Sequence, residues 1–180
     1  MLKKKPINMN SKRSINLIVD TMLSLLSDKM FSDITISELT KEAGIVRNTF
    51  YAHFECKDDV LTYYMYDIFR KRIQLALMEK EINELDLVLL YFEIWADNLE
   101  FLNMLKRNQL LHLLSQFGDQ FNLICEEFEI FDYCDLSKEA EKYVDTLYAD
   151  ALASIVKRWM KTSQKETPIQ LSKIFWEFFR

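Results

Sequence analysis

Few residues of this chain are of the types that carry out catalysis, and their spacing does not bring them together. The two histidines, His53 and His112, are 59 positions apart. The three cysteines, Cys56, Cys125 and Cys134, are unevenly spaced and form neither a CxxC metal motif nor a disulfide framework. The sequence also lacks a Ser/His/Asp set and a phosphate-binding glycine loop. We therefore expect no enzymatic activity, no cofactor and no metal site.

The chemistry that the sequence does offer is electrostatic, and it lies near the N-terminus. Residues 1–57 contain nine Lys and Arg against six Asp and Glu, a net charge of +3, whereas residues 58–180 carry −8. A basic segment on an acidic body is expected when only that segment meets phosphate. The first five cations are Lys3, Lys4, Lys5, Lys12 and Arg13. They form either an arm on the DNA backbone or minor groove, or a disordered tail.

Glycine and proline are scarce, because the 180 residues include only two of each, whereas an average chain carries roughly 12% of the two together. Hairpins, sandwiches and dinucleotide-binding turns need glycine at positive φ. With 49% hydrophobic residues available for a core, we predict an all-α fold of about nine helices. The longest apolar run, near residues 87–92, is far shorter than the roughly 18 residues of a membrane span. We therefore expect a cytoplasmic protein.

Apolar residues at helical spacing place the predicted helices. Their approximate ranges are 12–30, 36–43, 47–54, 57–79, 84–98, 99–107, 109–130, 137–162 and a final helix from 168. Thr35 and Glu38 are expected to cap the second helix reciprocally, and Gly44 supplies the sharp turn that ends it. Gly118 marks a bend or a close-packing point. Phe131–Asp135 reads as a short acidic and aromatic connection.

The C-terminal part of the chain has more apolar residues than its own core needs. The stretch 137–162 has two adjacent stripes, the first formed by Val144, Leu147, Tyr148, Ala151, Ile155 and Trp159 and the second by Leu152, Val156 and Met160. One stripe suffices for an intramolecular core. The final helix, with a predicted capping box of Thr167 and Gln170, adds Leu171, Ile174, Phe175, Phe178 and Phe179. We expect another surface to cover these residues.

Two short helices joined by a glycine-containing turn indicate a helix-turn-helix, whose second helix enters the DNA major groove. The local sequence is TISELTKEAGI from Thr35, then TFYAHF from Thr49, then Lys57 and Leu61. This run, within about residues 12–62, resembles the DNA-binding domain of the tetracycline-repressor (TetR) family of bacterial regulators. A weaker resemblance, from Tyr91 onward, is to a C-terminal domain common among such regulators in Firmicutes.

The TetR resemblance implies an all-α homodimer whose last two helices pack against those of a partner as a four-helix bundle. It implies a helix-turn-helix DNA-binding domain over residues 1–60. A long fourth helix would join this domain to a helical effector-binding and dimerisation domain over residues 61–180. The residues expected at the dimer interface are Tyr148, Ile155, Trp159, Phe175 and Phe178.

The same resemblance assigns roles in DNA binding. Arg47 and Asn48 begin the recognition helix, where arginine pairs best with guanine and asparagine with adenine. The residues at positions that touch phosphate in the family are Thr35, Thr49, Tyr51, His53 and Lys57. An alternative for Tyr51 is a solvated residue at the edge of the helix. Phe50 and Phe54 are expected in the core.

Two positions depart from the family pattern, in which serines cap the third and fourth helices. Val46 stands before the recognition helix and has no side-chain oxygen, a change that costs about 1 kcal/mol of helix stability. Cys56 stands before the fourth helix, where it is either a poorly capping replacement for serine or a redox-sensitive thiol at a helix N-terminus.

The resemblance also implies an effector pocket, and the aromatic composition suits a small hydrophobic or flat molecule. The candidate ligand-binding residues are Tyr64, Tyr91, Trp95, Phe101, His112, Phe117 and Phe121. Aromatic stripes are also ordinary core, and His112 either orients an effector or is a buried core histidine. The expected function is that of a dimeric repressor released from a palindromic operator by this effector. The alternative is an activator, or a regulator controlled by a protein partner.

Overall fold

The computed structural model describes residues 9–130 and 137–179, and every regular element within them is helical. In chain order the elements are α1 (Met9–Asp28), a 3-10 turn η1 (Phe31–Asp33), α2 (Ile36–Glu42), α3 (Arg47–His53), α4 (Lys57–Glu79), α5 (Glu84–Asp97), α6 (Leu99–Arg107), α7 (Leu113–Gln116), α8 (Gly118–Glu127), α9 (Lys138–Lys161) and α10 (Pro168–Phe178). The predicted all-α class is confirmed. The proposed arm at Lys3–Lys5, the connection Phe131–Asp135 and Cys134 lie outside the described residues.

The described chain divides into two compact units, Met1–Met65 and Tyr66–Arg180. The division falls within α4, so this helix contributes residues to both units. The N-terminal unit contains the helix-turn-helix, and the C-terminal unit contains the helices from α5 to α10. Each unit has its own buried apolar residues, as expected of two cores.

The core of the N-terminal unit is formed by the apolar stripe of α1 and by the inner faces of the short helices. The stripe contributes the fully buried Ile15, Ile18, Met22 and Leu26. Phe50 and Phe54 of the α3 region are also fully buried, which confirms their prediction as core residues. Their rings lie 5.8 Å apart, centroid to centroid. Buried rings in the middle of α3 and just after its last residue fix which face of α3 points to solvent.

The turn between α2 and α3 has the geometry that a glycine allows. Gly44 has φ of 65°, in the left-handed region that other residues adopt at a cost. The Ile45 N–H donates to the Thr40 carbonyl at 3.0 Å, and the Gly44 N–H donates to the Lys41 carbonyl at 3.1 Å. These two bonds are the Schellman pattern that ends a helix. The sharp turn predicted at Gly44 is therefore confirmed.

The predicted helix over 109–130 is two helices, because α7 ends at Gln116 and α8 begins at Gly118. A Cβ atom added at Gly118 would lie only 3.1 Å from the Cβ of Ala149 on α9. The absence of a side chain at Gly118 thus permits the close approach of α8 and α9. Both expectations for this glycine, a break in the helix and a close-packing point, are met.

Aromatic residues form the centre of the C-terminal unit. The ring of Phe69, on α4, lies 5.1 Å from Tyr91, 5.0 Å from Trp95, 4.9 Å from Phe117 and 5.9 Å from Phe121, centroid to centroid. All five side chains are buried. The tilted and edge-on arrangements are those that aromatic pairs prefer. We call these five residues the aromatic cluster.

Helix α9 buries its second predicted stripe and buries the first only in part. Leu152, Val156 and Met160 of the second stripe are buried. In the first stripe Leu147 is exposed and Ile155 is half-buried. The capping box of Thr167 and Gln170 is present with both of its hydrogen bonds and starts α10 as predicted; α10 packs on α5 and α9.

Candidate nucleic-acid interface

The outer face of α3 presents polar side chains to solvent. Arg47, Asn48 and Tyr51 are exposed, and Thr49 and His53 are half-buried. This distribution follows from the helical period, since burial of Phe50 turns the neighbouring positions outward. The structure therefore brings both predicted base-reading residues and three of the predicted phosphate-contacting residues onto one short helix.

Arg47 and Tyr51 are paired one turn apart on α3. The Arg47 Nη2 donates a hydrogen bond to the Tyr51 hydroxyl at 3.3 Å, and its guanidinium carbon lies 5.8 Å from the centre of the tyrosine ring. Residues four apart on a helix are neighbours. This pair holds the guanidinium along the helix surface. Its other N–H groups can still donate to an acceptor on a ligand.

Thr35 caps α2 as predicted, and Glu38 is its partner in the cap. The Glu38 N–H donates to the Thr35 Oγ1 at 3.1 Å. The Glu38 carboxylate also pairs with the Lys29 ammonium, whose hydrogen bond is the main reason that the pKa of Glu38 is lowered; a hydrogen bond from the Thr35 main chain acts in the same direction. Glu38 therefore takes part both in the cap of α2 and in an ion pair with a lysine nine residues earlier, whose charged donor forms the stronger bond.

Lys57, predicted to contact phosphate, reaches into the protein instead. Its ammonium donates to the main-chain carbonyl of Phe31 at 2.6 Å and also to that of Ile34. The Nζ atom lies 4.3 Å from the centre of the Phe31 ring. Burial lowers the pKa of Lys57, opposed by the charges of Asp58 and Asp33. Nothing in the local sequence signalled these partners, which lie 26 and 23 residues away.

His53 is half-buried at the end of α3, with its ring edge-on to Phe54 at 6.5 Å. Burial lowers the pKa of His53 below its ordinary value of 6.5. The imidazole is therefore mostly neutral at pH 7, and it can donate one hydrogen bond to a phosphate oxygen without contributing a positive charge.

The start of α4 is capped by an aspartate rather than by Cys56. The Asp59 carboxylate accepts hydrogen bonds from the Glu55 N–H at 2.7 Å and the Cys56 N–H at 3.2 Å. Burial by itself would raise the pKa of Asp59, but hydrogen bonds, including these two, hold it below the ordinary value. Cys56 is exposed.

Val46 precedes α3 in extended conformation and makes no side-chain capping bond. We predict that Val46→Ser raises the free energy of unfolding by about 1 kcal/mol relative to Val46→Ala, because the serine oxygen accepts from an unpaired N–H of the first turn. Val46 is 69% exposed, so loss of its methyl groups costs little. Urea unfolding followed by circular dichroism measures the difference. Equal stability of the serine and alanine variants would contradict the prediction that the start of α3 lacks a capping acceptor.

The candidate ligand-binding residues do not form one set. Tyr91, Trp95, Phe117 and Phe121 belong to the aromatic cluster, and Phe101 is buried on α6. His112 is exposed beside α7, with its Nδ1 3.3 Å from the Gln109 carbonyl oxygen. The expectation of a buried core histidine is therefore wrong, because the turn before α7 places this residue outward although leucines flank it. Tyr64 lies in the N-terminal unit.

Three of the residues expected at the dimer interface are buried or make contacts within the chain itself. Phe175 is fully buried, Trp159 is buried, and Tyr148 contacts the Phe175 ring at 5.2 Å. Burial raises the pKa of Tyr148 to about 12, with the charge of Glu84 acting in the same direction. Of the remaining two, Phe178 is exposed and Ile155 is half-buried. Leu147, which belongs to the first predicted stripe but was not among these five residues, is exposed on α9.

The fold and this surface define a class of protein. An all-α chain that presents arginine, asparagine and tyrosine from the second helix of a helix-turn-helix has the architecture of a helix-turn-helix DNA-binding protein. Across residues 9–130 and 137–179, none of the helices combines the length and apolar character needed to cross a membrane.

Comparison with known proteins agrees. Residues 18–64 match the family model of bacterial regulatory proteins, tetR family. The chain is 27% identical over 62 residues to the uncharacterized HTH-type transcriptional regulator YwcC of Bacillus subtilis, covering 34% of this chain and 28% of the relative. It is 35% identical over 72 residues to the HTH-type transcriptional regulator EthR of Mycobacterium tuberculosis, covering 40% and 27%.

Among solved structures, the dihydroxyacetone kinase operon activator DhaS matches over 92% of each chain, with 17% identity and a TM-score of 0.45. The chain spans a little over a quarter of the length of the curated relatives that it matches. The family model covers the helix-turn-helix, α2 and α3, within residues 18–64. Residues 18–64 thus match the DNA-binding segment of the tetR family of bacterial regulatory proteins.

Proposed function

We propose that this regulator acts as a dimeric repressor that binds a palindromic operator and is released by a small hydrophobic or aromatic effector. The observation that carries the proposal is the outer face of α3, where Arg47, Asn48 and Tyr51 are exposed above a buried Phe50. Side chains held in this way on a short rigid helix suit insertion into the major groove.

The DNA-contacting groups divide by chemistry. Arg47 reads guanine through its paired donors, and Asn48 reads adenine through its amide. Thr35, Thr49, Tyr51 and His53 offer neutral donors to phosphate, which fix the register of the protein on the duplex. The net charge of +3 over residues 1–57 favours approach to DNA despite the acidic remainder of the chain.

Replacing the base-reading arginine tests the DNA-binding part of the proposal. We predict that Arg47→Ala weakens binding to the DNA upstream of the chain's own gene by at least about tenfold, because an arginine–guanine pair contributes about 1–3 kcal/mol. Tyr51→Ala is expected to weaken binding as well. Gel-shift titration at several salt concentrations measures both variants. Arg107→Ala, which removes an exposed arginine from α6, is the matched control.

Two results of this titration would contradict the DNA-binding proposal. One is wild-type affinity in both the Arg47 and the Tyr51 variants. The other is binding that does not change with salt, because neutralised phosphates must release counterions. Activation of the adjacent gene by the bound protein, rather than repression, would favour the activator alternative.

The aromatic cluster supports an effector site in the C-terminal unit. The Trp95 indole N–H is buried there, near the Tyr91 hydroxyl, without a well-formed hydrogen bond among the described residues. A flat molecule with one acceptor atom would satisfy this donor while contacting aromatic faces. An effector that prefers one dimer conformation changes operator affinity by its preference for that conformation.

A library of aromatic compounds tests the effector site. We expect compounds that raise the thermal midpoint of the wild-type protein to weaken operator binding in the gel shift. Trp95→Phe is expected to reduce their affinity, since it removes the indole donor. Compounds that stabilise the protein but leave operator affinity unchanged would contradict effector control.

A further inference from the structure

The first residue of α4 ties together the two ends of the helix-turn-helix. The Lys57 ammonium donates to the carbonyls of Phe31 and Ile34. Ile34 directly precedes Thr35, the cap of α2, and Lys57 follows the end of α3 at His53. The Lys57 side chain therefore connects the segment just before α2 to the segment just after α3.

The partners of Lys57 are two main-chain carbonyls and an aromatic ring. The carbonyls belong to the first residue of η1 and to the residue that follows η1, and the Phe31 carbonyl also accepts the Ile34 N–H at 3.3 Å. The Phe31 ring lies 4.3 Å from the Nζ atom and adds a cation–π contact. Phe31 and Ile34 are themselves buried. Two of the three ammonium donors are thus used by the main chain.

This arrangement competes with a phosphate contact. To reach DNA, the ammonium would have to release both carbonyls and the ring, leaving main-chain oxygens without their charged donor. The half-buried side chain and its pKa, lowered by burial, agree with a group that faces the protein. The role implied by the family pattern, contact with phosphate, therefore does not fit the geometry of Lys57.

We propose that Lys57 is a positioning residue of the DNA-binding unit, which clamps the start of α4 to the segment entering α2, and that it does not bind phosphate. Because α2 and α3 lie between the clamped points, the clamp fixes the orientation in which α3 is presented. The expected effect on DNA affinity rests on the proposed DNA-binding function, whereas the clamp itself is a property of the free protein.

The test compares wild-type protein with Lys57→Met, which keeps an unbranched side chain and removes the charge. The matched control is Lys71→Met, because Lys71 is an exposed lysine that pairs with Asp67 in the C-terminal unit. The DNA is a 30-base-pair duplex selected by the wild-type protein from a randomised library. Affinity is measured over a series of salt concentrations, and amide hydrogen exchange is measured without DNA.

We expect Lys57→Met to lower affinity by about tenfold at every salt concentration, with an unchanged salt slope. We also expect faster amide exchange over residues 34–54 in the free variant, and no change in either measurement for Lys71→Met. A lost phosphate contact in each subunit of a dimer would instead lower the salt slope by about 1.8.

A lower salt slope overturns the proposal whatever the exchange data show, because it identifies Lys57 as a phosphate ligand. Unchanged amide exchange also overturns the proposal, because the Lys57 contacts would then not stabilise residues 34–54. If the wild-type protein selects no duplex, the proposed DNA-binding function fails, while the exchange measurement still decides whether Lys57 clamps the unit.

Discussion

Replacing Leu147 and Phe178 together with glutamate is expected to convert the proposed dimer into a folded monomer. Leu147 is 61% exposed on α9 and Phe178 is 77% exposed on α10. Burying a leucine or phenylalanine side chain contributes about 1.5–3 kcal/mol. A twofold interface contains each residue twice, so the dimer dissociation constant should rise by at least about 1,000-fold.

The monomer should keep its fold, since neither side chain is part of the intramolecular core. Sedimentation velocity over a range of concentrations measures the association, and circular dichroism reports helix content. The matched control is Leu75→Glu, which puts the same charge in place of a leucine that is 55% exposed on α4. A monomeric wild-type protein, or a dimer that survives the double substitution, would contradict the assignment of this interface.

Loss of the dimer should also abolish tight operator binding. A monomer contacts a single half-site, whereas a dimer places two recognition helices one helical turn of DNA apart. We expect operator affinity to fall by at least about 100-fold in the double variant. Measuring both association and operator affinity in the double variant therefore tests whether DNA binding depends on this interface.

Local patterns in the sequence predicted the parts of this fold that depend on neighbouring residues. The Schellman turn at Gly44 and the capping box of Thr167 and Gln170 require only residues within one helical turn of each other. For the same reason the sequence predicted that the start of α3 has no side-chain cap, since Val46 has no side-chain oxygen.

Contacts between distant parts of the chain were not readable in this way. The partners of Lys57 lie 23 and 26 residues away, and the charged partner of Glu38, Lys29, lies nine residues before it in another part of the fold. Periodicity showed that α9 has two apolar stripes, but which stripe the chain covers depends on where α8 and α10 pack. Leu147 and Tyr148 belong to one stripe, yet Leu147 is exposed and Tyr148 is half-buried.

Phe69 was not among the candidate site residues, although it contacts four aromatic rings of the cluster. We predict that Phe69→Ala lowers the free energy of unfolding by about 3–5 kcal/mol, because it removes a fully buried ring and leaves a cavity lined by groups that relax only in part. Urea unfolding followed by circular dichroism measures the loss. Tyr143→Ala, at an exposed position on α9, should change stability by less than about 0.5 kcal/mol.

The size of the loss distinguishes a closed core from an open effector site. Tightly packed rings lose both apolar burial and dispersion contacts when one is removed. A site with free volume around Phe69 would lose less, and a change below about 1 kcal/mol would contradict the packed cluster. With the cluster packed, an effector can enter only by displacing rings that contact Phe69 on α4. Effector affinity should then rise in Phe69→Ala, since the cavity is already open.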